Sequence, residues 1–538
     1  MAGLAAAFGS GAMTNAMAEL AKSETILIAG SNPTVNHPIV DLYIRQAIRD
    51  KGAKLIVVDP RKIELTKEAD LWLRPRPGTD VAWINGIMHV IWKEGLWDRA
   101  YVKDRTEGFS TLKAVIREFT PAYVEKITGI PAKDLKRAAR CYAKAKIAAI
   151  VYAMGITQHT TGTDNVKSLA NLAMLCGNVG VEGGGVNPLR GQNNVQGACD
   201  MGALPNVFPG YQPLSDPEVV NKFEEAWKTP LDPNPGLTVT QFWPAVNGGQ
   251  IKALYIMGEN PVVSDPNSNE ITSTLQALDF LVVQDIFMTE TARLADVVLP
   301  AASFAEKNGT FTNTERRVQR VRRAIAPPGD AWPDWKIINA LSTQMGVPMS
   351  YPSAEAVMDE IGSLTPTYGG IYYDRLEQNG LQWPCPDRNH PGTPYLHKDT
   401  FTRGLGRFHP VGFTLPEELP DEKFPLVLST GRVREHYNSG TMTRRITELT
   451  DACPEPLLEV HPKDAELLGI KAARRVKISS RRGEVTARAT LTTKCPQGVV
   501  FMPFHFGEAA ANLVTIDKLD DLSKIPQYKV CAVRVDPL

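Results

Sequence analysis

The sequence predicts an α/β protein with two related parallel-sheet units and a C-terminal β-barrel. A strand that ends in Gly-x-Asn-Pro occurs twice along the chain, and each copy precedes a second strand that ends in aspartate. After Phe424 the pattern changes to short alternating strands separated by Gly and Pro turns, which is typical of a small barrel. At 538 residues the chain is long enough to form several separate cores.

The first unit starts with the apolar run at residues 24–33, which ends in Gly-Ser-Asn-Pro. A helix follows, with Val40, Ile44 and Ile48 on one face, and then a second apolar strand at residues 54–59. An Ala-Asp pair ends eleven residues beyond the aspartate that closes this strand. A strand–helix–strand unit of this length predicts a right-handed parallel βαβ arrangement.

The second unit repeats this order of elements. Residues 253–261 end in Gly-Glu-Asn-Pro, residues 280–285 form a strand that ends in Asp285, and Asp296 lies eleven residues further on. Ligands of Rossmann-like parallel sheets bind beyond the carboxyl ends of the strands, so the repeat predicts two sites for two similar nucleotide-bearing ligands. The alternative is two ordinary βαβ units whose turns coincide. Neither unit contains Gly-x-Gly-x-x-Gly, which disfavours a nicotinamide dehydrogenase.

The remaining elements divide the chain into four predicted parts. Residues 148–155 indicate a buried strand, and residues 168–176 indicate a helix. Residues 350–420 are rich in Pro, Gly and Tyr with little periodicity, which indicates a connecting segment. Barrel strands are predicted at residues 425–429, 476–479, 484–491, 498–502 and 531–535. The predicted domains are the two α/β units at 1–192 and 193–365, the connection at 366–422 and the barrel at 423–538.

Composition and charge argue against several classes of protein. The 59 basic and 59 acidic residues balance, which argues against a nucleic-acid partner, and the apolar runs are too short for a transmembrane segment. The seven dispersed cysteines include no Cys-x-x-Cys pair, which indicates reduced thiols and a cytoplasmic location, and argues against an iron–sulfur or zinc site in these residues. No Lys or Arg precedes Asn15, so the start of the chain is not a secretory signal.

Residues 183–202 have the composition most typical of a ligand-binding or catalytic segment. This stretch holds six glycines, three asparagines, two glutamines and a single basic residue, Arg190. Glycines let the backbone approach a ligand closely, amides supply uncharged donors and acceptors, and one arginine can bind a small carboxylate bidentately. The alternatives are a flexible surface loop and, for Arg190, a solitary surface cation.

Several motifs together resemble the alpha subunits of formate dehydrogenases in the molybdopterin oxidoreductase family. The resemblance runs in order along essentially the whole chain, and its most specific motif is R-G-Q-N-N-V-Q-G-A-C-D-M-G at 190–202. The other motifs are G-S-N-P-x-x-x-H-P at 30–38, V-V-D-P-R-K at 57–62, R-P-G-T-D at 76–80, M-G-I-T-Q at 154–158, Q-D-I-F-M-T-E-T-A at 284–292, A-D-V-V-L-P at 295–300 and C-A-V-R-V at 531–535.

The resemblance implies one Mo or W atom held between two molybdopterin guanine dinucleotides, which would account for the duplicated units. The barrel, of the double-psi type, would close over both pterins. The residues implied for the first dinucleotide are Asn32, Asp59, Arg61, Gly78 and Asp80, and further implied cofactor contacts are Gly30, His37, Met154, Gly155 and Gln158. Those implied for the second are Gly258, Glu259, Gln284, Asp285, Thr289 and Asp296. The barrel would contribute Arg432, His436, Asn512, Tyr528 and Lys529.

The resemblance also implies the substrate and the catalytic residues. Arg190 matches the family arginine that orients formate, and Gln192 lies beside it in the sequence. No residue of this chain is expected to bind the metal. His159 is expected to lie on the pterin side or to be structural, like His37, and His505 is expected to be a satisfied buried histidine. The two electrons taken from formate would leave through an iron–sulfur subunit or protein.

One departure from the family pattern concerns the start of the chain. Family members carry cysteines for a [4Fe–4S] cluster and then a catalytic selenocysteine or cysteine followed by histidine, a few residues ahead of the sequence that matches Met1-Ala-Gly-Leu. The sequence therefore predicts a catalytic subunit truncated after that position, with an in-frame UGA codon upstream and no activity alone. The rival hypotheses are another oxyanion reductase, such as a nitrate reductase, and a non-catalytic cofactor-binding or assembly protein.

Overall fold

The computed structural model describes residues 1–347 and 349–538, and the chain forms two compact units. The first comprises Met1–Gly191, Val263–Asn269 and Tyr395–Leu538, and the second comprises Gln192–Val262 and Glu270–Pro394. The predicted domain boundaries at 192, 365 and 422 stay predictions. No helix in the described ranges combines the length and the hydropathy needed to cross a bilayer.

The first unit contains a five-stranded parallel sheet. The strands in this part of the chain are β1 (Thr25–Ala29), β2 (Lys54–Val58), β3 (Leu71–Leu73), β4 (Thr106–Glu107), β5 (Ala148–Tyr152) and β6 (Val186–Pro188). The sheet has the order β3-β2-β1-β5-β6, and Thr25 of β1 is opposite Lys54 on one side and Ala148 on the other. Every residue of β1 and β5 is buried, as expected of parallel strands covered on both faces. The predicted parallel arrangement is confirmed.

Helices cover both faces of this sheet. They are α1 (Ala2–Phe8), α2 (Pro33–Asn36), α3 (Pro38–Lys51), α4 (Asp80–Lys93), α5 (Arg99–Arg105), α6 (Phe109–Ile116), α7 (Pro121–Thr128), α8 (Ala132–Lys144), α9 (Met154–Thr157) and α10 (Gly162–Leu175). The apolar face predicted for α3 packs Val40 and Ile44 against Ile26 and Val57. The helix ends where Gly52 adopts the left-handed conformation (φ 64°) that glycine tolerates.

The second unit holds two three-stranded sheets. Its strands are β7 (Val207–Phe208), β8 (Gln212–Pro213), β9 (Ala253–Met257), β10 (Phe280–Asp285), β11 (Val297–Pro300), β12 (Gly309–Thr312), β13 (Arg317–Val321) and β14 (Leu381–Gln382). The sheet β11-β10-β9 is parallel, as predicted, and β12-β13-β14 is antiparallel. Ile256, Leu281 and Val283 of the parallel sheet share an apolar core with Trp243.

The helices of this middle part of the chain are α11 (Val195–Asp200), α12 (Pro217–Trp227), α13 (Val239–Asn247), α14 (Pro261–Ser264), α15 (Ser268–Gln276), α16 (Asp334–Gln344) and α17 (Ala354–Leu364). Helix α17 lies inside residues 350–420, which the sequence predicts to be a connecting segment with little periodicity. The high Pro and Gly content of the flanking residues hides this eleven-residue helix, whose Met358 is buried.

The repeated Ala-Asp pair has the same structural role in both parallel sheets. A carboxylate oxygen of Asp70 accepts a hydrogen bond from the backbone N–H of Leu55 at 3.0 Å, and one of Asp296 accepts from Leu281 at 2.7 Å. Each aspartate therefore braces the amino end of the second strand of its unit. This edge is opposite to the one at which ligands of a parallel sheet bind. The predicted contact of Asp296 with a dinucleotide stays a prediction beside this structural role.

The C-terminal part of the chain forms a closed six-stranded barrel. Its elements are β15 (Gly406–Arg407), β16 (Leu426–Gly431), β17 (Leu457–Val460), β18 (Arg475–Ser479), β19 (Glu484–Leu491), β20 (Val499–Pro503), β21 (Cys531–Pro537), α18 (Thr447–Ala452) and α19 (Pro462–Leu467). The barrel order is β16-β20-β17-β19-β18-β21. Alternate residues of β19 point inward, so Val485, Ala487 and Ala489 join the barrel core. The α/β-plus-barrel fold class is confirmed.

Candidate functional site

The carboxyl ends of the first parallel sheet open into a cleft that the barrel also lines, within the first unit. The walls enclose about 1160 Å³, including the open mouth. The cleft contains eleven of the residues predicted to bind the cofactor: Gly30, Asn32, His37, Asp59, Arg61, Gly78, Asp80, Met154, Gly155, Arg432 and Lys529. The sequence motifs that lie far apart along the chain therefore converge on one cavity.

Two glycines form the floor of this cleft. Gly30 follows β1 with a φ of 51°, and its carbonyl oxygen accepts a hydrogen bond from Gly155 at 2.9 Å. A Cβ on Gly30 would lie 2.6 Å from the carbonyl carbon of Gly155, which is closer than real Cβ atoms approach. Both positions must therefore be glycine for the Gly-Ser-Asn-Pro and Met-Gly-Ile-Thr-Gln segments to meet.

Several buried polar atoms of the cleft have no hydrogen-bond partner among the described residues. They are Ser31 Oγ, Asn32 Oδ1, His37 Nδ1, His159 Nδ1 and Arg432 Nε. Buried polar atoms are nearly always paired in folded proteins, because leaving one unpaired costs about 1–3 kcal/mol. This set includes both donors and acceptors, so the cleft is suited to a polar ligand that presents both.

Asp59 and Lys529 place two opposite charges in the cleft. Burial raises the pKa of Asp59 to about 7 and lowers the pKa of Lys529 to about 7. The ammonium of Lys529 donates to the carbonyl oxygen of Thr430 at 2.6 Å, and a carboxylate oxygen of Asp59 accepts from the backbone N–H of Arg61 at 2.8 Å. Both groups titrate near neutrality, so a ligand that binds here can change the protonation of either.

Asp80 and His159 form a second polar pair in the same wall. Asp80 lies in the first turn of α4, where the indole N–H of Trp83 donates to its carboxylate at 3.1 Å. His159 Nε2 lies 3.7 Å from the other carboxylate oxygen and 2.9 Å from the carbonyl oxygen of Gly155. Burial raises the pKa of Asp80 and lowers the pKa of His159, so the wall favours neutral hydrogen-bonding partners.

Arg61 lines the cleft, but its guanidinium is engaged by the barrel. It donates two hydrogen bonds to Glu459, at 2.7 and 2.5 Å, and lies 3.9 Å from the ring centroid of Phe501. Burial, followed by the neighbouring Glu459, raises the pKa of the Cys495 thiol beside them to about 12, so this cysteine stays protonated. The observed role of Arg61 is to fasten the first sheet to the barrel, and its predicted role toward a ligand stays a prediction.

Arg190 follows β6 at the carboxyl edge of the first sheet. The backbone N–H of Leu189 donates to the carbonyl oxygen of Tyr152 at 2.8 Å, which extends the sheet by one residue. Burial raises the pKa of the Tyr152 phenol, and the nearby charge of Arg190 opposes this shift. Leu189 and Gly191 both line the cleft, so the half-buried Arg190 stands between two residues of its wall.

The other barrel residues named in the sequence analysis have protein partners outside the cleft lining. His436 Nε2 lies 2.7 Å from the carbonyl oxygen of Cys453, and Asn512 donates to the carbonyl oxygen of Ser264 at 2.8 Å. The Tyr528 hydroxyl donates to the same carbonyl at 3.2 Å. His505 accepts from the backbone N–H of Val433 and donates to Asn438, which confirms it as a satisfied buried histidine.

The residues predicted for a second ligand gather in the second unit. Gly258 follows β9 with a φ of 64°, and its N–H donates to the carbonyl oxygen of Gln284 at 2.9 Å. The Gln284 side chain is buried, accepts from the Tyr255 hydroxyl and donates to Asp334 at 2.7 Å. Glu259, Asp285 and Thr289 follow the same two strands at their carboxyl ends. These residues therefore share one edge, whereas Asp296 lies at the other.

Some residues that line the cleft have no signal in the sequence. Thr430, Cys495 and Phe501 belong to barrel segments, and only the closure of the barrel brings them beside β1 and β2. Ser31 lies inside the repeated motif, so the motif itself could have identified it. Gln192 is exposed and belongs to the second unit.

Comparisons with known proteins agree with this architecture. A family model described as molybdopterin oxidoreductase matches residues 3–344, and one described as molydopterin dinucleotide binding domain matches residues 426–532. The chain is 53% identical over 538 residues to the F420-dependent formate dehydrogenase subunit alpha of Methanocaldococcus jannaschii, covering 99% of this chain and 79% of that one. It is 40% identical over 545 residues to formate dehydrogenase H of Escherichia coli, covering 100% and 76%.

Among solved structures, acetylene hydratase from Pelobacter acetylenicus is similar to this chain with a TM-score of 0.80. The match covers 100% of this chain and 80% of the hydratase at 20% sequence identity. At this identity the likeness establishes the fold alone.

Proposed function

This chain belongs to the molybdopterin oxidoreductase family, and we propose that it is the catalytic subunit of a formate dehydrogenase. The reaction converts formate into carbon dioxide, one proton and two electrons, or runs in reverse. One observation carries the proposal: Arg190 stands at the carboxyl edge of the first sheet, between two residues that line the polar cleft. A guanidinium in such a place can hold a carboxylate through two parallel hydrogen bonds.

The polar atoms of the cleft fit a molybdopterin guanine dinucleotide. This group presents amide, amino, hydroxyl and phosphate atoms, which match a lining that offers both unpaired acceptors and unpaired donors, such as Asn32 Oδ1 and Arg432 Nε. We propose that one dinucleotide is held by Gly30, Asn32, His37, Asp59, Arg61, Gly78, Asp80, Met154, Gly155, Gln158, Arg432 and Lys529. When bound, the cofactor supplies a Mo or W atom that accepts the two electrons of the reaction.

We propose that the carboxyl edge of β9 and β10 holds a second dinucleotide. The positive φ of Gly258 reproduces the turn at Gly30, and the amide of the buried Gln284 is fixed by Tyr255 and Asp334. The proposed contacts within the second unit are Gly258, Glu259, Gln284, Asp285, Thr289 and Asp296. Within the first unit, His436, Asn512 and Tyr528 of the barrel are proposed as further cofactor contacts.

The side chains of this chain bind and orient the substrate. Arg190 holds the formate carboxylate, and Gln192 supplies an amide beside it. Fixing a one-carbon acid in one orientation removes much of the entropic part of the barrier. We propose that the electrons then pass to an iron–sulfur subunit or protein, that a [4Fe–4S] cluster takes part, and that the enzyme works in the cytoplasm.

The test is to purify the protein anaerobically from its native host and measure pterin, molybdenum and tungsten content together with formate oxidation. Electron acceptors would be a viologen dye and coenzyme F420, because the M. jannaschii relative is an F420-dependent formate dehydrogenase subunit. We expect pterin and metal together with formate-dependent reduction of an acceptor. Cofactor-loaded protein that reduces nitrate but does not oxidise formate would indicate an oxyanion reductase. Loaded protein without turnover would indicate a binding or assembly role.

A further inference from the structure

The His37 side chain is hydrogen-bonded to the backbone of Arg190. The ring nitrogen Nε2 of His37 lies 2.6 Å from the carbonyl oxygen of Arg190, within the first unit. A carbonyl can only accept, so Nε2 carries a proton, and in the neutral ring Nδ1 then presents its lone pair. Burial lowers the pKa of His37, which is consistent with a neutral ring in this tautomer.

The backbone of His37 is itself held on both sides. Its N–H donates to the carbonyl oxygen of Pro33 at 2.8 Å, and its carbonyl accepts from the N–H of Asp41 at 3.1 Å. Pro38 follows directly and restricts the next φ angle. The ring therefore projects from a junction between α2 and α3 that has little freedom to move.

The neighbours of Arg190 are fixed by independent contacts. Leu189 is 4% exposed, and its N–H is bonded to the sheet through Tyr152. A Cβ on Gly191 would lie 2.7 and 2.9 Å from the two terminal guanidinium nitrogens of Arg432 and 2.9 Å from Cε of Met154. The sheet holds residue 189, His37 bonds the carbonyl of residue 190, and residue 191 lies closely against the Arg432 side chain.

We propose that His37 is a positioning residue for formate binding, and that it acts by fixing the backbone from which the Arg190 side chain extends. This inference rests on the proposed function. A bidentate clamp tolerates little displacement, so a backbone that shifts by a fraction of an ångström weakens the grip on a carboxylate. Nδ1, on the other side of the ring, lines the cleft and has no donor among the described residues.

Two substitutions at residue 37 separate the two sides of the ring. His37→Gln keeps an N–H donor at the reach of Nε2, whereas His37→Asn keeps a polar atom only near the position of Nδ1. We expect H37N to raise the KM for formate about tenfold, which is the scale of one lost hydrogen bond, with a smaller fall in kcat. H37Q should restore KM to within about threefold of wild type. Pterin and metal content should be equal in H37N and wild type, because asparagine keeps a polar atom near the position of Nδ1.

A double-mutant cycle with Arg190→Lys tests whether His37 acts through Arg190. Lysine binds a carboxylate through one flexible ammonium rather than a two-point clamp, so a fixed backbone matters much less and the KM of H37N/R190K should be close to that of R190K alone. The proposal would be overturned if the fold-increase in KM of the double variant equalled the product of the fold-increases of the two single variants.

His89 provides a matched control. Its half-buried ring also bonds a backbone carbonyl, that of Ile116 at 3.0 Å, and it does not line the cleft. H89A should leave the formate KM within about twofold of wild type. Three results would each overturn the inference if the wild type oxidises formate. They are an unchanged KM in H37N, a KM in H37Q as high as that in H37N, and a loss of pterin in H37N. Cofactor-loaded wild type without formate turnover would instead overturn the proposed function on which it rests.

Discussion

The edges of the two parallel sheets carry the same motif in different surroundings. Gly30 and Gly258 both adopt positive φ angles, 51° and 64°, after a strand that ends in the same way. A Cβ at Gly30 would collide with Gly155, whereas a Cβ at Gly258 would meet no described atom within 4 Å. β1 is fully buried, whereas Tyr255 and Met257 of β9 are 41% and 50% exposed. A repeated motif therefore specifies the turn, and the rest of the chain specifies how tightly the turn is packed.

The largest expected difference in stability is between Gly30→Ala and Gly258→Ala, which add a methyl group to one glycine each. Gly30→Ala combines backbone strain with a collision against Gly155, and should destabilise the first unit by about 4 kcal/mol. Gly258→Ala adds only backbone strain and should cost about 1 kcal/mol. Thermal unfolding of both variants measures the difference. Equal losses of stability would show that the two turns are packed alike.

A smaller contrast is expected between one ion pair of each unit. The side chains of Arg61 and Glu459 are 21% and 12% exposed, and they form a bidentate pair. Arg61→Ala leaves a largely buried carboxylate without its partner and should lower the free energy of unfolding by about 3 kcal/mol. Lys307 and Asp334 are 22% and 31% exposed, and Lys307→Ala should cost about 1 kcal/mol. Chemical denaturation of the two variants ranks them. The reverse order would mean that the barrel contact of Arg61 contributes little.

The paired aspartates offer a test in which the two units should behave alike. Asp70→Ala and Asp296→Ala each remove an acceptor from a strand N–H and should cost about 1.5 kcal/mol. Asp296→Asn keeps an acceptor oxygen and should recover most of that stability. A loss of pterin in D296N at normal stability would support the predicted cofactor contact of Asp296, and an unchanged pterin content would contradict it.

The last test measures how stability depends on pH and is confined to the first edge. The folded pKa of Asp59 is raised from 3.8 to about 7, so this group makes stability fall as the pH rises from about 4 to about 7. The folded pKa of Lys529 is lowered from 10.5 to about 7, so this group makes stability rise between about pH 7 and pH 10. Apparent Tm against pH should lose the first slope in Asp59→Asn and the second in Lys529→Met. Unchanged profiles would contradict burial as the cause of the two pKa shifts.

Local sequence patterns predicted the elements whose burial follows a simple periodicity. The apolar runs that became β1, β2, β9 and β10 and the stripe of α3 were identified correctly, since both faces or one face of each element pack against the core. β17 was missed because Leu457–Val460 is only four residues long and acquires its role by pairing with β19 in the closed barrel.

The candidate site was predictable where the chain turns sharply and less so where distant segments meet. Gly30, Asp59 and Asp80 follow short motifs, and all three line the cleft. The bond from His37 to Arg190 joins residues 153 positions apart, so no local pattern contains it. The hydrogen bond from the Leu281 N–H to Asp296 was not predictable, because spacing along a chain does not distinguish the two ends of a strand.

The contact between Arg61 and Glu459 has a consequence for how the protein is made. The two residues are 398 positions apart, and the first compact unit combines Met1–Gly191 with Tyr395–Leu538. At a synthesis rate of about 5–20 residues per second, the guanidinium emerges from the ribosome roughly 20–80 s before its carboxylate partner. The N-terminal sheet must therefore wait, incompletely covered, until the barrel has been translated, and chaperones that shield nascent chains would act on it during this interval.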